Sequence, residues 1–124
     1  MTTIVLWADT FEQTTEFYRK LLGASLQHAS DEFVSIVASG NEVLLHRVPE
    51  QWATEIANPP KIREENPIKP CFEVDSIEDA RLAVLGSHGW VLAAETEQAH
   101  GDKTYCDAVD PEGNVIQLFS RTRS

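Results

Sequence analysis

Four histidines, two cysteines and 20 acidic side chains are the groups in this 124-residue chain able to bind a metal or move a proton. His46 stands out because it interrupts an apolar run, Val43-Leu44-Leu45, that reads as a strand. An imidazole there either ligates a metal or sits in a core or cleft with one hydrogen-bond partner. One imidazole rarely holds a metal without two further donors, so His46 needs companions. His100 lies in the polar stretch Gln98-Ala99-His100-Gly101-Asp102, where a solvated loop residue is expected. His88 follows a helical segment and complements the negative end of its dipole, and His28 closes a strand without a companion. Cys71 and Cys106 form no CxxC or zinc-knuckle spacing and read as apolar-like residues of a reducing compartment, with nothing beside either to support a disulfide or reactive thiol. Trp52 carries an amphipathic ring in a proline-containing segment, where it can close over a planar ligand or pack against the domain edge.

The formal net charge is −10, from 20 acidic and 10 basic residues. A field of that sign repels phosphate backbones and anionic lipid and attracts cationic small molecules, although solubility alone accounts for the same excess. No run approaches the roughly 18 apolar residues of a membrane span. The start, Met1-Thr2-Thr3-Ile4-Val5-Leu6-Trp7, lacks the charged beginning and long apolar stretch of a signal peptide. A cytoplasmic protein is therefore expected, with nucleic acid and membranes excluded as partners.

The elements that must position these groups occur twice. Ile4–Trp7 is apolar and β-branched, as a buried strand should be. Asp9 and Glu12 have the D-x-x-E spacing of a capping box. Phe11, Thr14, Phe17, Tyr18, Leu21 and Leu22 follow at helical spacing, and Gly23 ends the helix. From Pro67 the pattern repeats: a strand over Ile68–Val74, then Asp75 and Glu78, then Ile77, Ala80, Val84 and Leu85, closed by Gly89. Asp9 to Asp75 and Gly23 to Gly89 are both offsets of 66. Three short strands complete each half: Ser25–His28, Phe33–Ala38 and Glu42–Val48, then Trp90–Glu95, Lys103–Val109 and Asn114–Ser120. Both final strands are introduced by Gly-Asn, and Asp110-Pro111-Glu112-Gly113 supplies the residue types a tight turn requires. Pro49–Asn66 reads as a linker with a short helix at Glu50–Ala57. One domain over residues 1–124 is expected, with module one at 1–48, the linker at 49–66 and module two at 67–124.

Asp110-Pro111-Glu112-Gly113-Asn114-Val115-Ile116-Gln117-Leu118 resembles the D-P-[DE]-G-N-x-[IL]-x-[LF] signature of the vicinal oxygen chelate superfamily. That superfamily includes glyoxalase I, extradiol dioxygenases, fosfomycin-resistance enzymes and bleomycin-resistance binding proteins. Trp7-Ala8-Asp9 through Phe17-Tyr18 to Leu22-Gly23 looks like its V-x-D…FY…LG opening, and Phe72-Glu73-Val74-Asp75 like the F-x-V-D of its second module. The resemblance implies an α+β fold of two βαβββ modules forming a curved mixed sheet around a cleft. It also implies four ligand positions for a divalent metal acting as Lewis acid. Here those positions fall on Thr2, on His46 (or Leu45, if the fourth strand is shifted by one), on Lys69 and on Gln117. Lysine is normally a cation and threonine a poor donor, so only His46 and Gln117 suit a metal.

Three functions follow from this resemblance. The first is a metal-free, cofactor-free protein that binds a small molecule, such as a cationic antibiotic or metabolite, resembling the bleomycin-resistance branch. Strand alternation from the ligand positions would then point Ile4 and Leu6, Cys71 and Glu73, and Val115 and Phe119 into the cleft. Its binding residues would be His46, Trp52, Lys69, Glu73, Tyr105, Gln117 and Phe119. The second is a glyoxalase-type lyase or dioxygenase with displaced ligands. His46, Glu73 and Gln117 would hold zinc, nickel, iron or manganese, with His100 or a partner subunit adding a donor. The third is an interaction protein whose cleft is filled by its own side chains. A homodimer, its strands or modules exchanged, is expected by analogy with the superfamily.

Overall fold

The computed structural model describes residues 2–122. Met1, Arg123 and Ser124, which the expected module bounds include, lie outside them. Module one runs β1 (Thr2–Ala8), α1 (Phe11–Leu22), β2 (Ser25–Ala29), β3 (Phe33–Ala38) and β4 (Asn41–Arg47). Its sheet has the order β1-β4-β3-β2, with β1 parallel to β4 and the other pairs antiparallel. Module two runs β5 (Cys71–Glu73), α2 (Ile77–Ala83), β6 (Trp90–Val91), β7 (Gln98–His100), β8 (Lys103–Val109) and β9 (Val115–Arg121). Its sheet repeats the plan as β5-β9-β8-β6, with β5 parallel to β9 and β7 pairing with the far end of β8. Among the described residues no helix is long and apolar enough to cross a membrane.

One core joins the modules. Val34, Ile36, Val43 and Leu45 from sheet one meet Phe72, Cys106, Ile116 and Leu118 from sheet two, with Phe17, Tyr18 and Leu21 of α1 and Ile77, Ala80 and Val84 of α2. Burying so many large side chains on one side of each sheet is the main source of stability, at about 25 cal/mol per Å² of apolar surface. The Tyr18 hydroxyl donates to Asp110 Oδ2 at 2.6 Å across the module boundary. Asp110 also accepts from the Glu112 and Asn114 backbone N–H groups, each at 2.9 Å. Burial pushes the Asp110 carboxyl up, against the downward pull of these donors, and raises the Tyr18 phenol well above its usual range.

Helix starts and stops depart from the capping-box expectation. The N-cap residues are Thr10 and Ser76, one position later than Asp9 and Asp75, and they preserve the offset of 66. Ser76 Oγ accepts from the Asp79 N–H at 3.1 Å. Thr10 makes no cap of its own. The Glu112 carboxylate instead accepts from the Asp9 N–H at 2.9 Å, from the Thr10 N–H at 2.7 Å and from the Thr10 hydroxyl. Asp9 turns away to accept from Thr54 of the linker at 2.8 and 3.1 Å. Gly23 closes α1 in the left-handed conformation at φ 59°. Gly89 closes nothing, because α2 has ended at Ala83. Its reason is proximity: a Cβ there would lie 2.5 Å from the Val109 carbonyl and 2.6 Å from the Phe17 ring.

Module two is also less regular than its sequence pattern. The strand expected over Trp90–Glu95 stops at Val91, and a 3-10 turn occupies Ala94–Thr96. Arg81 accounts for this diversion. It donates to the Leu92 carbonyl at 3.0 Å and to Glu97 Oε2 at 2.6 Å, tying the segment to α2 while the Leu92 N–H keeps its bond to the Asp107 carbonyl of β8. The polar stretch expected as a turn at 98–102 is instead strand β7 followed by a turn at Gly101-Asp102. The strand expected at Ile68–Val74 narrows to Cys71–Glu73, since Pro70 has no N–H to donate and offers only its carbonyl, to the Gln117 N–H at 2.8 Å. The linker helix expected at Glu50–Ala57 is one 3-10 turn, Glu50–Trp52, after which Thr54 is drawn to Asp9.

Candidate functional site

Each sheet buries one face against the helices and leaves the other open. On sheet two, Phe72, Cys106, Ala108, Ile116 and Leu118 are buried, and strand alternation turns Glu73, Tyr105, Asp107, Gln117 and Phe119 to the open side. The register sets Cys71 beside Gln117, Glu73 beside Phe119, and Asp107 beside Gln117. Lys69 Nζ donates to Asp107 Oδ2 at 2.9 Å, and Gln117 Nε2 lies 3.5 Å from the other Asp107 oxygen. Arg121 pairs with Glu73 at 3.0 Å. Phe119 is flanked by the Tyr105 ring with centroids 5.9 Å apart, and by the Lys103 ammonium 5.1 Å from its centroid. His100 is edge-on to Tyr105 at 5.9 Å.

The diverted segment after β6 leaves a hollow of about 190 Å³ beside this face, lined by Lys69, Thr96, Gln98, Tyr105, Asp107 and Gln117. Cys71 is exposed on the open face, with partial desolvation raising its thiol above the ordinary value, whereas Cys106 is buried on the core side. Neither has a disulfide partner.

Sheet one offers a different surface. Val43 and Leu45 of β4 are fully buried, so His46 takes the open side and settles the choice between Leu45 and His46. The His46 ring stacks on Trp7 with centroids 4.5 Å apart and planes 20° from parallel, and lies 5.9 Å from Phe33. Trp7 is 55% exposed and Val5 51%. Glu42 accepts from Thr3 at 2.7 Å and from the Ser35 hydroxyl. These hydroxyls, Ser35 foremost, hold its carboxyl below the ordinary carboxylate value.

The orientation expected for β1 is corrected here. Ile4 and Leu6 pack against the shared core, and Thr2 has their parity, so the open side of β1 carries Thr3, Val5 and Trp7. The same alternation places Cys71, Glu73, Val115 and Phe119 on the open side of sheet two, as their spacing implied. Trp52 is 68% exposed on the linker, so it does not pack against the domain edge. His88 is in the loop after α2, and His28 lies on β2, one of the two edge strands of sheet one.

Within one chain the candidate residues form two groups. Lys69, Glu73, Tyr105, Gln117 and Phe119 share the open face of sheet two, and His46 shares sheet one with Trp7 and Phe33. Among the described residues no hydrogen bond, ion pair or ring contact joins the two open faces. Within one chain, His46, Glu73 and Gln117 are not arranged as a metal site. His46 is stacked on sheet one, Glu73 is engaged by Arg121, and the ammonium of Lys69 stands beside Gln117 and opposes a second cation. Among the described residues no three His, Cys, Asp or Glu side chains converge. Alternation from residues already singled out also reaches Trp7, Phe33 and Asp107: the first two flank His46 in the ladder, and Asp107 is two places from Tyr105.

The fold recurs in solved structures. A glyoxalase/bleomycin resistance protein from Albidiferax ferrireducens superposes with a TM-score of 0.65 at 16% identity, covering 98% of each chain. A bleomycin resistance determinant encoded on a transposon gives 0.62 at 15%, covering 98% of this chain and 97% of its own. A glyoxalase/bleomycin resistance protein/dioxygenase family enzyme from Burkholderia phytofirmans gives 0.65 at 13%, covering 96% of each. No curated protein matches the sequence. The glyoxalase-like domain family matches residues 3–119, nearly the whole chain, and this protein belongs to that family.

Proposed function

We propose that this chain binds a planar small molecule without a metal ion, and does so as a homodimer. Each cleft would form between the open face of sheet one in one protomer and the open face of sheet two in its partner. The observation that carries this is the chemistry of the two faces. One presents the Trp7, His46 and Phe33 rings with the Glu42 carboxylate, and the other presents Tyr105 and Phe119 with Lys69, Lys103 and Arg121. A monomer exposing Trp7, Val5 and Phe33 together leaves an apolar patch that asks for a partner. The faces complement each other in charge, since sheet one carries a carboxylate where sheet two carries three cations against Glu73 and Asp107. Trp52, exposed on the linker, is available as a lid. At long range the charge of −10 draws cations toward the protein. At contact distance the ligand meets both signs.

Sedimentation of the purified chain tests the assembly, and a thermal-shift screen of aromatic cations and anions, with and without EDTA, tests the ligand. A true ligand at about 100 times its Kd adds about 2.7 kcal/mol of stability. That gain should be unaffected by EDTA. Stabilisation abolished by the chelator, or a chain that stays monomeric at all concentrations, would overturn the proposal.

A further inference from the structure

The chain leading out of the linker is fastened to module two at both its ends. The Arg63 N–H donates to the Gly113 carbonyl at 2.9 Å, and the Gln117 N–H donates to the Pro70 carbonyl at 2.8 Å. The anchors, Gly113 in the turn before β9 and Gln117 on β9, are four residues apart, whereas the segment fastened to them, 63–70, is eight residues long, and its slack lies over the sheet. Beneath it lies a slot of about 380 Å³, within the size range of small-molecule sites. Its walls are apolar where Trp90, Val109, Val115 and Ile68 meet, and Ile68 is 72% exposed with nothing covering it. The Lys69–Asp107 pair, Arg63 and Glu64 supply the charged part of its lining.

We infer that this slot takes a compact apolar carboxylate, an acid with a branched aliphatic or single-ring body. The ammonium of Lys69 meets one protein acceptor, Asp107 Oδ2, and is half-exposed, so it can donate to a ligand oxygen in exchange for solvent. Asp107 is already served by Lys69 at one oxygen and approached by Gln117 at the other. A ligand oxyanion therefore completes Lys69, whereas a ligand cation would compete with it for Asp107. Distant acidic residues do not reverse this, because solvent ions screen charges beyond about 8–10 Å and contact groups decide. The inference rests on sheet two being the ligand-bearing face. It differs from the composite cleft in that one chain builds the whole slot.

The test is a titration of the intact protein with phenylacetate, 4-methylpentanoate and, as the opposite-charge isostere, phenethylamine. The indole N–H resonances of Trp7, Trp52 and Trp90 report position. The acids should shift Trp90 and leave Trp7 in place, and phenethylamine should bind about tenfold more weakly or worse. Lys69→Met, a change at a half-exposed side chain, should cost a similar factor for the acids. Val115→Phe should fill the slot and abolish binding. Equal binding of amine and acid, a response at Trp7 in place of Trp90, unchanged affinity in Lys69→Met, or no binding at all would overturn the inference. Sedimentation on the same samples separates it from the composite cleft. A monomer that still binds phenylacetate sinks only the cleft, and a dimer that binds none sinks only the slot.

Discussion

Module one and module two share a plan and differ in completeness. In sheet one, β1, β3 and β4 pair over their whole lengths, giving a continuous surface on which Trp7, His46 and Phe33 lie side by side. In sheet two, β6 pairs for two residues, the chain turns away at Ala94–Thr96, and pairing resumes with β7. The uninterrupted ladder makes an aromatic platform, and the interrupted one makes hollows whose walls include Lys69, Asp107 and Leu92. Within this duplicated fold, the missing stretch of strand opens the hollow beside Tyr105 and Gln117, while the segment 62–69 walls the slot beside Val115.

The turns before the last strands test this comparison most severely. Gly40 and Gly113 both have positive φ, at 79° and 87°. A Cβ at Gly40 meets nothing within 4 Å, whereas one at Gly113 would lie 2.1 Å from the Lys61 carbonyl. Gly113→Ala should therefore lose about 3 kcal/mol of stability in urea denaturation, against about 1 kcal/mol for Gly40→Ala. Equal losses would mean that the linker contact carries no weight and that the two turns are equivalent.

Arg81 comes next, because it holds module two's diverted segment. Arg81→Met should lose about 1–2 kcal/mol and speed amide exchange over Leu92–Glu97. Unchanged exchange there would move the cause of the diversion elsewhere. A smaller effect is expected at Trp7, which is 55% exposed in the single chain. Trp7→Ser should alter monomer stability by no more than about 0.5 kcal/mol while weakening self-association in sedimentation. A large loss of monomer stability would show that the platform serves the fold of its own chain.

The smallest effect concerns pH. Glu42 has its carboxyl lowered from 4.5, chiefly by the Ser35 hydroxyl and then by Thr3. A group whose folded value is depressed adds stability that is fully present above its unfolded value and is lost as pH falls through the folded one. Thermal scans of the wild type should thus show a slightly steeper decline below pH 4.5 than scans of Glu42→Gln. Superimposable profiles would remove Glu42 as a contributor.

Much of this architecture was legible in the residues. The 66-residue offset survives in the helix starts, with Thr10 and Ser76 one place beyond the acids that resemble caps. The open face of sheet two could be read because Glu73, Gln117 and Phe119 alternate with buried Phe72, Ile116 and Leu118. Strand β1 could not be read that way. Ile4-Val5-Leu6-Trp7 is apolar on both sides, so alternation carries no information about which side meets the helices, and superfamily spacing chose the wrong one. The early end of β6 was hidden for another reason: Trp90–Leu92 suits a strand locally, and the guanidinium that ends it lies on another element. The slot was equally out of reach, since it depends on where a structureless linker is fastened.

Glu112 has a consequence beyond capping. It belongs to the last turn of the chain, yet it closes the backbone of the first helix, 102 residues earlier for Thr10. Neither half is finished alone: cutting the linker would leave the first half with unclosed amides and the second with a carboxylate robbed of its donors. The duplicated pieces have thus become obligate companions, each half completing the backbone hydrogen bonding of the other.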